Sequence, residues 1–271
     1  MADLTKHTQP IADAIYKHWE ETASDWRRDH LGASVLGNPC DRAIWYGFRW
    51  AKPPDFPGRV LRLFDTGQRE EARLVNDLRN IGLEVHDRDP EAGGQIRVSY
   101  GHHIGGSLDG VSRNVPQGGD KWHVLEFKTH NDKSFLDLQK KGVAESKPAH
   151  FIQMQIYMHL IGIERALYVA KNKNTDSIYT ERIHLDTALA KAQLMRADRI
   201  VKSTSQPGGI SENPADYRCK FCPFWKLCYE GEQMSKSCRT CKAVRVTDDG
   251  WACSKGIKAD PREGCGEWGE I

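Results

Sequence analysis

The sequence has no long apolar segment and no marked excess of charge of either sign. No apolar run approaches the ~18 residues that span a membrane, and the stretch MADLTKHTQPIADAIYKHW lacks the apolar core of a signal peptide. Lysine and arginine number 39 against 37 acidic residues, which leaves a net charge of +2. We therefore expect a cytoplasmic protein with no membrane partner, and any acidic partner would need a local basic surface.

The sequence also has no internal repeat and no low-complexity tail. It lacks a glycine-rich phosphate-binding loop, so any nucleotide-driven motor would have to be a partner. The 271 residues suffice for one substantial core with an appendage. The stretches KPPDFPGR and QPGGISENPAD are rich in proline or glycine and break the periodic segments. We predict an N-terminal helical segment (1–66), a core (67–232) and a cysteine-rich module (233–271).

Helical and extended patterns alternate along the chain. Apolar spacing of three to four predicts helices in IADAIYKHWEE, CDRAIWYGFRW and RLFDTGQREEARLVNDLRNIG. Short strands are predicted in LEVHD, GQIRVSY, HHIGGSLDGV and WHVLEFKTH, followed by two helices, a hairpin around KNTD and a last helix. This mixed order predicts an α/β fold with a central mixed sheet flanked by helices.

One predicted hairpin gathers an Asp, a Glu and a Lys. Side chains alternate along a strand, so Glu126 and Lys128 share one face of VLEFK while Leu125 and Phe127 share the other. Asp109 ends the preceding strand, and the loop VSRNVPQGGDK returns the chain antiparallel. We therefore expect Asp109 to lie beside Glu126.

Two adjacent carboxylates repel each other unless a hard cation lies between them, and Mg²⁺ prefers one or two carboxylates with retained waters. Such a cation polarises a phosphodiester and lowers the pKa of a bound water, while a neighbouring lysine orients that water. Phosphodiester hydrolysis is the chemistry that these groups suit best. The alternative is a solvated Glu–Lys ion pair on a surface strand.

Neighbouring helices add candidate groups. Glu71 lies four residues after Gly67 and offers a third carboxylate, with Glu70 as its rival on another helix face. Gln153 and Tyr157 share a helical face and either contact a nucleic-acid backbone or metal-bound water, or belong to an amphipathic helix with Tyr157 in the core.

Together these residues resemble the PD-(D/E)XK nuclease superfamily. GGSLDGV and LEFK are similar to its Asp and Glu-x-Lys motifs, the Gly67 to Glu71 spacing to its first-helix motif, and QMQIY to the Gln-x-x-x-Tyr motif of its RecB-type branch. One departure is Leu108, which stands where the family name implies proline. The resemblance covers residues 67–184 and is carried by the joint order of short motifs.

The resemblance implies an Mg²⁺- or Mn²⁺-dependent DNA nuclease. Asp109 and Glu126 would bind the metal, Glu71 would assist, and Lys128 would serve the attacking water. An exonuclease in recombination, repair or phage DNA processing is expected, with a recombinase, an annealing protein or a helicase as a possible partner. The alternatives are a sequence- or structure-dependent endonuclease and a catalytically idle DNA-binding or adaptor module.

Eight cysteines divide into two sets of four, and a reducing compartment favours metal ligands over disulfides. The first set combines a distant N-terminal cysteine with the cluster CKFCPFWKLC: Cys40, Cys219, Cys222 and Cys228. Four thiolates suit either Zn²⁺ or an iron-sulfur cluster. The spacing, with Ser34 and Arg42 near the first cysteine, resembles the iron-sulfur RecB-type nucleases, including the CRISPR spacer-acquisition and AddB-like kinds, as well as phage recombination exonucleases. That resemblance implies a structural [4Fe-4S] cluster.

The second set lies in the last forty residues: Cys238, Cys241, Cys253 and Cys265. A Cys-x2-Cys knuckle and the turn TDDG predict a zinc-ribbon-like module with an all-cysteine Zn²⁺ site, because so short a segment scarcely folds without a staple. Its basic residues either grip DNA or form a solvated face: Lys236, Arg239, Lys242 and Arg245.

Overall fold

A computed structural model describes residues 5–271 of the chain. Its helices are α1 (Thr5–Glu21), α2 (Asp41–Phe48), α3 (Gly58–Asn80), α4 (Asp132–Ser146), α5 (Pro148–Ile161), α6 (Thr187–Lys202) and α7 (Trp225–Tyr229). Its strands are β1 (Leu31–Gly32), β2 (Glu84–His86), β3 (Arg97–Tyr100), β4 (Ile104–Ser107), β5 (Gly110–Arg113), β6 (His123–His130), β7 (Arg165–Asn172), β8 (Ile178–His184), β9 (Val244–Thr247) and β10 (Gly250–Cys253). Short 3₁₀ turns cover Ala33–Val35 and Cys238–Thr240.

A five-stranded mixed sheet forms the centre, in the order β2, β5, β6, β7, β8. Only β6 and β7 run parallel, and the chain between them forms α4 and α5, because parallel neighbours need a long crossover connection. The other three strand pairs of this sheet are antiparallel. The predicted α/β fold with a mixed sheet and flanking helices is confirmed.

Strand β6 separates two apolar cores. Leu125 and Phe127 pack with Leu74 and Leu78 of α3 on one face of the sheet. Val124 belongs to the larger core on the other face, which includes residues of α2, α5 and α6. Glu126 alternates with Leu125 and Phe127, so the strand directs its carboxylate toward α5 instead of toward the α3 core.

A second, three-stranded sheet has the order β1, β4, β3 and was not predicted. The prediction of one continuous strand over HHIGGSLDGV is wrong, because β4 ends at Ser107 and joins this small sheet, whereas β5 begins at Gly110 in the central one. Glycine permits the transfer, since Gly110 has a φ of +154°. Asp109 therefore lies where the chain passes between sheets.

The C-terminal segment docks on the body of the protein. Strands β9 and β10 form an antiparallel hairpin around the predicted TDDG turn, and β9 packs against α6. No helix within residues 5–271 is long and apolar enough to cross a membrane.

Candidate active site

Asp109 is held by the backbone of the neighbouring strand. The amide of Phe127 donates a hydrogen bond of 2.7 Å to Asp109 Oδ2, and Gly110 pairs with Leu125 in the β5–β6 ladder. The hairpin therefore fixes one carboxylate oxygen and leaves Oδ1 for another partner. The expected juxtaposition of Asp109 with the Glu126 strand is present in the structure.

Glu126 is fully buried, with an exposure of 0%. Gln153 of α5 donates from Nε2 to Glu126 Oε2 at 3.1 Å. The ammonium of Lys128 forms an ion pair with Oε1, although the contact lacks hydrogen-bond geometry and Oε1 accepts no directed bond. The charge on Glu126 Oε1 is thus compensated by Lys128, but no hydrogen-bond donor points at this oxygen.

Lys128 is the cationic group of the site. Its side chain is 28% exposed, so the ammonium reaches solvent while Glu126 does not. Burial alone would lower its pKa, but the charges of Glu126 and Asp109 raise the pKa of Lys128 above its usual value. Lys128 therefore stays protonated at neutral pH and acts as a charge and donor rather than as a base.

Glu71 and its rival Glu70 have different environments. Glu70 forms an ion pair with Lys171 at 2.7 Å and lies 3.7 Å from Arg73, so its charge is compensated away from Asp109. Burial, together with the charge of Asp109, raises the pKa of Glu71 to about 7. Glu71 is therefore the helix carboxylate that senses the site.

The remaining carboxylates also resist ionisation. Burial raises the pKa of Glu126 to about 7, an effect that Lys128 opposes and Asp109 increases. Burial likewise raises the pKa of Asp109 above its usual value. Three acidic groups thus converge near the ammonium of Lys128, so a further cation would stabilise their ionised forms.

Tyr157 forms part of the wall beside this group. It is buried, and its hydroxyl lies so close to Gly106 that a Cβ at that glycine would be 2.4 Å from Oη. Burial raises the pKa of Tyr157 to about 12. Gln153 therefore touches Glu126 directly, whereas Tyr157 packs against β4.

The sequence analysis missed a buried network beside Lys128. His130 Nε2 and His150 Nδ1 each lie 2.9 Å from the hydroxyl of Tyr168, and His130 Nδ1 lies 3.1 Å from Ser134 Oγ. Burial lowers the pKa of His130 to about 4 and that of His150 to about 3. Both imidazoles are therefore neutral at pH 7. The i, i+2 spacing of Lys128 and His130 on one strand was the available signal.

The first cysteine set meets at the junction between the N-terminal segment and α7. Burial raises the pKa of Cys222 and of Cys228. The nearby thiols of Cys40 and Cys219 raise both pKa values further. Tyr229 Oη donates to Cys219 Sγ at 3.3 Å. Cys40 therefore lies near thiols that are at least 179 positions away in sequence.

The second set surrounds a small enclosed cavity that is lined by all four of its members: Cys238, Cys241, Cys253 and Cys265. Burial and the other three thiols raise the pKa of Cys238. Within residues 5–271, no three His, Cys, Asp or Glu side chains form a group that could hold a metal ion as they stand. The donor chemistry of each set, four free thiols, is nonetheless of the kind that suits Zn²⁺ or an iron-sulfur cluster.

The expectation that Arg239 belongs to a DNA grip or to a solvated face is wrong. Its side chain is 4% exposed and donates to the carbonyl oxygens of Phe48 at 3.0 Å and Asp29 at 2.8 Å. The guanidinium also lies 3.8 Å from the ring centroid of Trp50. Arg239 anchors the C-terminal segment to the body.

The carboxylate group suits a hard divalent cation. Mg²⁺ is bound in proteins by one or two carboxylates with several waters, so it does not require a cage of three protein ligands. Asp109 Oδ1 and Glu126 Oε1 are the oxygens without a directed donor. Asp109 and Glu126 therefore fit such an ion, with Glu71 near enough to respond to its charge.

The chain matches no protein-family model and no curated protein sequence. Similar solved structures include SSO0001, at 18% identity and a TM-score of 0.49 over 81% of this chain and 96% of that one. The alkaline exonuclease LHK-Exo of Laribacter hongkongensis is 18% identical, with a TM-score of 0.47 over 68% and 90%. A phage-related exonuclease of Haemophilus somnus 129PT is 16% identical, with a TM-score of 0.43 over 63% and 91%. We infer the function from the geometry of the site.

Proposed function

We propose that the protein is a divalent-cation-dependent DNA nuclease that hydrolyses phosphodiester bonds from DNA ends. The observation that carries the proposal is the buried carboxylate of Glu126, held between Lys128 and Gln153 beside Asp109. Several carboxylates of raised pKa around one ammonium suit a hard cation and a phosphate substrate. When bound, Mg²⁺ or Mn²⁺ would polarise the scissile phosphate and lower the pKa of a coordinated water.

Each residue has a separate task in this proposal. Asp109 and Glu126 hold the cation, and Glu71 offers a nearby carboxylate that accepts a proton near neutral pH. Lys128 donates from its ammonium to the attacking water or to a phosphate oxygen, where negative charge grows in the transition state. Gln153 orients Glu126 through its hydrogen bond, and Tyr157 fixes the adjoining wall.

The test is cleavage of end-labelled linear DNA and of covalently closed circular DNA, with and without Mg²⁺ or Mn²⁺. We expect metal-dependent loss of the linear substrate alone, and a fall of at least 100-fold in the Glu126→Gln variant. Loss of both substrates would instead indicate an endonuclease. A folded wild type that binds DNA without cutting it would indicate the idle DNA-binding module.

A neighbouring pair of carboxylates supplies the matched control. Glu71→Gln should reduce the cleavage rate, because Glu71 senses Asp109, whereas Glu70→Gln should leave the rate nearly unchanged because Glu70 pairs with Lys171. The two substitutions are adjacent and chemically identical. Equal effects of the two would contradict the assignment of Glu71.

We further propose that Cys40, Cys219, Cys222 and Cys228 bind a [4Fe-4S] cluster, with Zn²⁺ as the alternative. The support is the approach of Cys40 to thiols from a distant part of the chain, with the rings of Tyr46 and Phe224 nearby in a tilted contact at 5.5 Å between centroids. An aromatic shell shields a cluster from water. The four tail cysteines are proposed to bind Zn²⁺.

Metal content separates these alternatives. Anaerobically purified protein should contain iron and acid-labile sulfide with visible absorption that Cys222→Ser removes, and about one zinc ion per chain that Cys241→Ser removes instead. Two zinc ions without iron would assign Zn²⁺ to the first set. Absence of both metals from folded protein would overturn both assignments.

The reaction would supply trimmed DNA ends to other proteins. A recombinase, an annealing protein or a helicase is the proposed partner class, since the chain has no phosphate-binding loop of its own. Co-purification with tagged wild-type protein in the presence of DNA ends would test this.

A further inference from the structure

A cavity of about 600 Å³ lies outside the carboxylate site, and no role proposed above uses it. Its walls come from the chain before α3 and from the cysteine turn. Aromatic side chains in these walls include Trp26, Phe56 and Phe224, and basic ones include Arg28 and Lys52. Its size is typical of pockets that enclose organic ligands.

The aromatic side chains in the walls are only partly engaged by the protein. Trp26 and Phe56 are half-buried and pack edge-on, with 5.7 Å between ring centroids, so part of each surface faces outward. Trp50 differs, because Arg239 covers its ring at 3.8 Å. Trp26 and Phe56 are therefore the aromatic surfaces on which a planar ligand can stack.

The basic residues favour an anionic ligand. Arg28 is exposed, and Lys52 has only a surface ion pair with Glu232 at 3.4 Å, a type of contact worth little in water. Asp55 is the acidic residue in the same wall. A ligand with flat aromatic rings and phosphate groups matches stacking surfaces bordered by cations.

Helix α3 connects this cavity with the carboxylate site. Phe64 packs edge-on against Trp26 at 5.6 Å and against Phe56 at 5.1 Å. Glu71 lies seven residues further along, which is two helical turns on the same face and about 10 Å along the axis. Between them Gly67 has nothing within 4 Å of the position of a Cβ, so this helix face is open.

Another part of the cavity wall, which includes Ser34 and Val35, packs against helix α5. The segment 31–38 packs against α5, which carries Gln153 and Tyr157. Gly37 approaches so closely that a Cβ there would lie 2.3 Å from Ala149 Cα. Both helices that carry site residues therefore contact segments that line the cavity.

We propose that the cavity binds unstacked bases of single-stranded DNA while the same strand runs along α3 to the carboxylate site. Duplex bases hide their faces in the stack, so aromatic side chains select single strands. The rise of about 10 Å from Phe64 to Glu71 along α3 is short enough for a few nucleotides of the strand to span. This inference rests on the proposed nuclease function and names its substrate class as single-stranded ends.

Binding is measured separately from cleavage. The Glu126→Gln protein is titrated with a fluorescent oligothymidylate and, in parallel, with a blunt duplex of equal length. Trp26→Ala in this background should weaken single-strand binding about tenfold, because stacking on an aromatic side chain contributes ~1–3 kcal/mol per base. Duplex binding should stay unchanged.

Two further variants act as controls. Trp122→Ala removes a half-buried tryptophan outside the cavity and should leave single-strand binding unchanged. Arg28→Ala should lower the slope of log K against log salt by roughly 0.7, the value for one lost phosphate contact on a single strand. Trp26→Leu keeps the apolar bulk and should still weaken binding if Trp26→Ala proves unstable.

The outcomes distinguish this inference from the nuclease proposal. Equal single-strand affinity with and without Trp26 overturns the inference, and so does an equal loss of duplex affinity. If the wild type fails to cleave DNA in Mg²⁺ or Mn²⁺ but Trp26 still governs single-strand binding, the nuclease proposal fails and the cavity assignment stands.

Discussion

At the scale of residues, Glu126 places an ionisable carboxyl group in a fully buried environment. A carboxylate with no exposure is costly to ionise, and the ammonium of Lys128 compensates it only partly because Asp109 adds a second negative charge. Apolar residues would pack at this position without such a penalty. Such a costly buried carboxylate is the environment that the proposed cation site requires.

Proton release should accompany cation binding. Glu71 and Glu126 have pKa values of about 7, so each is partly protonated at neutral pH and must lose its proton to bind Mg²⁺. The apparent Mg²⁺ affinity should rise as pH increases from 6 to 8. Calorimetric titration in buffers of different ionisation enthalpy measures the protons released, and an affinity independent of pH would contradict the prediction.

The same carboxylates should destabilise the metal-free protein as pH rises. A carboxyl group whose pKa is higher in the folded state binds its proton more tightly there, so its contribution falls as pH rises from about 4.5 to 7. The two histidines act oppositely, because their lowered pKa values remove stability as pH falls below about 6.5. The difference in Tm between wild type and Glu126→Gln, measured from pH 5 to 8, isolates the carboxylate. A difference in Tm that does not change with pH would contradict the predicted destabilisation by Glu126.

At the scale of elements, β4 and α5 shape the site by close contact. Gly106 leaves room for the Tyr157 hydroxyl, and a methyl group there would overlap the ring as well as the oxygen. Strand β4, which carries this glycine, belongs to the small sheet and not to the central one. The small sheet therefore affects the site because the absence of a Cβ at Gly106 leaves space for Tyr157.

Gly106→Ala should reduce the cleavage rate between about 10- and 100-fold, because Tyr157 must move and small displacements of positioned groups are costly. Gly94→Ala is the matched control, since nothing lies within 4 Å of a Cβ at that position. Steady-state kinetics and Tm should be measured for both. Equal rates in the two variants would show that Tyr157 adapts without effect.

The sequence predicts strands better than their partners. Period-two alternation in VLEFK was enough to place Glu126 and Lys128 on one face, and the loop length was enough to bring Asp109 beside them. The β1, β4, β3 sheet was missed because its strands have two to four residues and because its β1–β4 pair joins segments far apart in sequence. Local patterns carry no information about such pairings.

At the scale of the whole molecule, two buried arginines join the ends of the chain. Arg49 Nη1 donates to the carbonyl oxygen of Arg239 at 3.1 Å, and Arg239 donates in return to that of Phe48. Both guanidinium groups lie near Trp251. Basic charge alone suggested a surface role for Arg239, since composition does not reveal which cation is enclosed by aromatic rings.

Arg239→Ala should lower the free energy of unfolding by on the order of 3 kcal/mol, because it leaves buried carbonyl oxygens without donors and opens a cavity. Arg245→Ala changes an exposed arginine in the same segment and should have little effect. Guanidinium unfolding curves measure both. Similar midpoints for the two variants would contradict the anchoring role.

The pairing of Arg49 with Arg239 also has a consequence during synthesis on the ribosome. The two residues are 190 positions apart, so the carbonyl acceptor for Arg49 emerges about 10 to 40 s later at ~5–20 residues per second. Until then Trp50 lacks the Arg239 guanidinium that covers its ring, and Cys40 lacks the neighbouring thiols that come after residue 218. The N-terminal segment therefore completes its packing only after the last part of the chain has been made.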